Sequence, residues 1–140
     1  MIYVVSTISL VIQVFVLGLL LTAVFLKSKK KYRQHGMVML SAVALHIISI
    51  IIVMVPSFGV YFSMTGLLNF ADTLMIVTLF HVSSGLLAAM FGIWLVSSWH
   101  LKTDLQNCFR KKLVMDVTFA LWTIAIVLGI FLYLAIIQAF

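Results

Sequence analysis

His46 and His81 are the residues of this sequence whose chemistry sits oddly with their surroundings, because each lies within a long run free of charged side chains. A neutral imidazole carries one N–H and one lone pair, and inside lipid neither finds water. An ionisable side chain at such a depth is a functional hypothesis. Two chemistries compete for it. Imidazole is a good iron ligand, and one His from each of two helices can hold both axial positions of a b-type haem. The other reading is packing: each ring hydrogen-bonds to its counterpart, to Ser49, Ser83 or Ser84, or to a backbone carbonyl, and so locks two helices together. A different metal is the third possibility.

The neighbours of the two rings suit either chemistry. On the face of His81, Gly85, Ala88 and Gly92 follow within three turns, and Ala42 and Ser49 flank His46. Gly85, Ala88 and Ala42 leave space for a flat macrocycle, and the same small residues let helices touch with no cofactor at all. His35 and His100 form a second pair, next to the basic segments, where solvated histidines are the ordinary case. A metal between them is the less favoured assignment. His35 with Met37 and Met39 raises copper, but on a helix only Met39 shares the His35 face, so the spacing suits copper poorly.

These side chains must be positioned by elements that the composition dictates. The chain is 65% hydrophobic and 9% charged, against about 25% charged residues in soluble domains. With a mean hydropathy of +1.30, lipid is the solvent for most of it. Four uncharged runs follow, each long enough for the ~20 residues that cross a bilayer. They place helices at about 2–26, 36–55, 73–99 and 113–137. The second run continues to residue 71, and Pro56, Ser57 and Gly59 are expected to end its helix. The apolar, aromatic segment 56–72 then lies along the membrane surface as a short helix or re-entrant turn. The expected fold is all-α, an integral membrane four-helix up-down bundle forming a single domain over residues 1–140. Ser84, Ala88 and Gly92, with Gly85 and Ala89 beside them, mark the packing face of the third helix. Trp94, Trp99 and Trp122 read as interface anchors and bulk.

Orientation comes from charge. The net charge is +6, with nine Lys and Arg in all. Lys27, Lys29, Lys30, Lys31 and Arg33 lie in the loop 27–35, and Lys102, Arg110, Lys111 and Lys112 in the loop 100–112. The positive-inside rule puts both loops in the cytoplasm and both termini outside. Cations confined to two loops between apolar spans signal topology and contact lipid headgroups; they do not imply nucleic acid. The lone Cys108 permits no internal disulfide. Asp116 suits the start of the last helix. The sequence offers no Ser/His/Asp set, glycine-rich phosphate loop or cysteine cluster, so a non-enzymatic role is expected.

Three stretches carry a family resemblance. His35-Gly36-Met37-Val38-Met39-Leu40 follows a basic loop. Phe80-His81-Val82 is followed by Leu86-Leu87-Ala88. Arg110-Lys111-Lys112 leads to Thr118-Phe119 and Trp122, then Gly129 and Tyr133. Over residues 27–137 the chain resembles the YozB/CtaM-type family of small four-helix membrane proteins, a domain of unknown function linked to maturation of haem-copper terminal oxidases. It departs from that family where a His is expected ahead of the last helix and Cys108-Phe109-Arg110-Lys111 stands instead, and His46 lies deeper than the family's second-helix His. Only His35 and His81 carry over by position. The resemblance implies the plasma membrane of a prokaryote, a multi-pass protein, and a terminal oxidase or other membrane-protein subunits as partners. The expected function is thus an accessory or maturation protein of a respiratory redox enzyme, with a haem between His46 and His81 as an open question. The alternatives are an electron-transfer cytochrome b and a purely structural small subunit of a larger membrane complex.

Overall fold

The structure, a computed structural model, describes residues 2–65, 73–99 and 110–138. It is an all-α bundle of four helices, each with a stretch long and apolar enough to cross a membrane. Helix α1 is Ile2–Ser28. Helix α2 consists of Tyr32–Ser49, a π-helical turn Ile50–Met54 and Val55–Thr65, run together without a break. Helix α3 is Thr73–Trp99 and α4 is Lys112–Gln138.

The turn from α1 to α2 is shorter than the loop 27–35 expected from the charges. Helix α1 runs on to Ser28 and α2 begins at Tyr32, leaving three lysines between them. The Lys31 amide bonds back to the Leu26 carbonyl (3.0 Å) and the Lys30 amide to Lys27 (3.0 Å). Lys30 takes the left-handed conformation, φ 58°. This is the Schellman arrangement, which satisfies the last carbonyls of a helix and reverses the chain within a few residues.

Helix α2 departs further from the sequence reading, since Pro56 does not end it. Residues 56–65 of the expected surface loop are helix, and 66–72 lie outside the described residues. Pro56 lacks the N–H that would reach back one turn, and its ring crowds the carbonyl there. The chain responds one turn earlier. Val55 donates to the Ile50 carbonyl, five residues back, so the turn before the proline is wide. A wide turn relieves the crowding while keeping backbone groups bonded, which matters where no water is available.

The helices form a ring in chain order, α1 against α2, α2 against α3, α3 against α4 and α4 against α1. Its core draws on all four: Val16 and Leu20 of α1, Ala42 and Val43 of α2, Ala88 of α3, Trp122 and Ile126 of α4. The expected small face of α3 is the buried one, with Ser84, Gly85, Ala88, Ala89 and Gly92 all inside. A Cβ on Gly92 would come within 3.0 Å of Val43 Cγ2, so α2 and α3 approach as closely as a glycine allows. Trp122 is core bulk, whereas Trp94 is half exposed beneath the Lys111 ammonium, 5.3 Å from its ring. Phe15, Ile52, Phe80 and Phe131 point outward from the four helices. Such an apolar exterior belongs against lipid tails.

Candidate functional site

Each of the three described histidines bonds to a backbone carbonyl of a neighbouring helix in the ring. His35 Nδ1 of α2 lies 2.7 Å from the Ala23 oxygen of α1. His46 Nε2 of α2 lies 3.2 Å from the Gly85 oxygen of α3. His81 Nδ1 of α3 lies 2.8 Å from the Ala125 oxygen of α4. The fourth interface is bridged by Thr7 Oγ1 of α1 and the Tyr133 hydroxyl of α4, 3.2 Å apart. Every acceptor residue of the histidines is Ala or Gly. A small side chain lets a ring reach the main chain, and a carbonyl that already serves its own helix keeps a second lone pair.

A carbonyl can only accept, so the bonded nitrogen carries the proton in each ring. In the neutral ring this leaves a lone pair on His46 Nδ1 and on His81 Nε2. Both rings line one cavity of about 260 Å³, with Gln13, Phe58, Gly85 and Trp122 among its other walls. A second lobe of about 230 Å³ shares Gln13, Phe58 and His81 and extends to Ser9, Ser57, Thr78 and Tyr133. His46 also packs on Trp122, ring centroids 4.9 Å apart and planes tilted by 59°.

Gln13 is the wall residue that the sequence reading missed. It is 7% exposed, and its amide makes no hydrogen bond among the described residues. Its signal was available, as the one carboxamide in the uncharged run of α1. Gly129 makes room for it: a Cβ there would meet Gln13 Oε1 at 2.8 Å and His81 Cε1 at 3.0 Å. The side chains of Gln13 and His81 therefore crowd the same bare patch of α4. Ser49 Oγ and Trp122 Nε1 are buried and have no hydrogen-bond partner among the described residues.

The remaining expected site residues fall in several places. Ala42 and Ala88 are fully buried where the helices touch, so they serve contact between helices. Gly85 supplies a carbonyl, and a Cβ on it would sit 4.0 Å from His46 Nε2. His35 is buried, which corrects the expectation of a solvated ring at the boundary. Met37 points outward, half exposed, and among the described residues no three His, Cys, Asp or Glu side chains gather as a metal site. His100, Lys102 and Cys108 lie outside the described residues.

A haem does not fit these residues as they stand. The macrocycle must lie between its two axial rings, yet His46 is seated against the α3 backbone one turn from His81. Binding haem would require α2 and α3 to spread. Compared with known proteins, the chain matches no family model, no curated protein and no solved structure.

Proposed function

We propose that this chain is a non-enzymatic accessory or maturation protein of a membrane redox enzyme, in the plasma membrane of a prokaryote. The observation that carries the reading is the closed ring of polar bridges, one at each helix interface. It spends the buried histidines on holding the bundle together, and it turns an apolar surface outward from all four helices. A rigid membrane body of this kind suits docking beside a larger membrane protein. The redox partner is supported by the His35, His81 and Arg110–Tyr133 stretches that resemble the oxidase-maturation family.

The test is loss of the protein from its native membrane. Oxygen consumption driven by an artificial donor that feeds the terminal oxidase should fall severalfold, while upstream dehydrogenase rates stay unchanged. A chain carrying His81→Gln should restore the oxidase, because an amide can still bridge α3 to α4. Unchanged oxygen consumption in the deleted strain would overturn the redox assignment.

A further inference from the structure

We propose that the cavity between Gln13, His46 and His81 is a binding site for the head group of a membrane-dissolved hydroquinone. The proposal stands on the cavity alone and is independent of the partner enzyme. Three features of the cavity define its ligand.

The first is polarity. His46 Nε2 and His81 Nδ1 are committed as donors to the Gly85 and Ala125 carbonyls. The ring nitrogens left over on these two histidines are acceptors, so a ligand that meets them must bring hydrogens. Gln13, more than nine-tenths buried and without a partner among the described residues, adds an amide that both donates and accepts. A hydroxyl-bearing ligand gives that amide a partner. A diol with a hydroxyl at each end of its ring matches acceptors arriving from α2 and α3.

The second is shape. The other walls of this lobe are apolar or aromatic, including Val16, Phe58, Trp122 and Ile126. A dry cavity of about 150 Å³ holds a benzene, so about 260 Å³ suits one aromatic ring with short substituents. Trp122 and Phe58 supply the aromatic surfaces such a ring packs on.

The third is access. Val55 of α2 and Leu86 of α3 also line the cavity, and both are more than half exposed on the outer face of the bundle. The mouth therefore opens sideways between α2 and α3, toward lipid. A head group entering there leaves its hydrophobic tail in the bilayer. The π turn Ile50–Met54 contributes Ile50 and Met54 to the same wall, so the widened stretch of α2 borders the mouth. No electron transfer is assigned to the site; it binds the reduced ring.

The experiment uses purified full-length protein in nanodiscs, with Trp94 and Trp99 replaced by Phe so that Trp122 alone reports. A decyl-tailed benzohydroquinone, kept reduced by dithionite, should quench Trp122 saturably. Its dimethyl ether, which has lost both donors, should bind about tenfold or more weaker, since one hydrogen bond to a buried partner is worth roughly that factor. The oxidised quinone should be weakened likewise. Gln13→Leu should cost about tenfold while leaving thermal stability unchanged or higher. Equal affinity for the diol and its dimethyl ether would overturn the donor assignment on the unmutated site, whatever the variants do. Absence of saturable quenching, or quinone binding as tightly as hydroquinone, would overturn the proposal.

Discussion

At the scale of single residues, the histidines do two things with two nitrogens. One nitrogen of each ring fixes a helix pair, and for His46 and His81 the ring also faces the cavity. Interhelical hydrogen bonds in lipid are worth roughly 0.6–2 kcal/mol each, because the unfolded chain in the membrane also finds partners. Replacing His46 by Ala removes such a bond and the packing on Trp122, and leaves a void. A cost of about 2–4 kcal/mol is expected. His46→Gln should recover part of it, since an amide N–H can still meet the Gly85 carbonyl. Unfolding in detergent, by heat or by SDS titration, checks this series. A wild-type midpoint for His46→Ala would remove the Gly85 bond from any account of stability. Which carbonyl each ring meets was not legible in the sequence, because it depends on how each helix is rotated, and spacing within one helix is silent about that. Of the acceptor residues only Gly85 was legible, as part of the α3 face of Ser84, Gly85, Ala88, Ala89 and Gly92, which packs as its spacing implies. Gln13 escaped notice because an uncharged amide does not interrupt a hydropathy run.

At the scale of elements, two turns show how lipid changes familiar rules. Proline and glycine together read as a helix end, since in water the freed carbonyls are hydrated. In the bilayer they have no such partner, so α2 continues through Pro56 and the misfit is taken up by the wide Ile50–Met54 turn. The Lys29–Lys31 turn is the opposite case, an abrupt reversal built without glycine. Lys30 stands where glycine is usual. The left-handed conformation costs an L-residue about 1–2 kcal/mol, and glycine gives back roughly half to all of 1 kcal/mol through its looser unfolded chain. Lys30→Gly is therefore expected to stabilise the bundle by about 0.5–1 kcal/mol. The midpoint of SDS unfolding should rise, and a fall would mean that Lys30 contributes through its charge more than its backbone costs. The sequence marks Lys30 as a charge and gives no sign of its φ, because nothing in a run of lysines distinguishes a loop from a three-residue reversal.

At the scale of the whole molecule, the ring of four helices sorts the charges. The Lys29–Lys31 turn, the end of α3 and the start of α4 lie together: a Cβ on Gly36, one turn into α2, would overlap the Trp99 ring. Across the same end, Lys111 Nζ reaches the Ser98 carbonyl at 3.2 Å. Every Lys and Arg of the described residues thus belongs to one end of the bundle, and Ser63, near the far end of α2, carries no charge nearby in sequence. Moving that basic end across the membrane would take every one of these cations with it, at a cost that fixes orientation during insertion. The expected result is that Cys108, in the segment between α3 and α4, is labelled by an impermeant thiol reagent only after the cells are opened. In a Cys108→Ser chain, a cysteine introduced by Ser63→Cys should be labelled in intact cells, because the Ser63 side chain is exposed at the opposite end. Opposite patterns at the two positions are required, since a buried or unreactive thiol silences one site but does not label the other from the wrong side. Labelling of Cys108 in sealed cells, with Ser63→Cys protected, would invert the molecule and place the lysine turn outside.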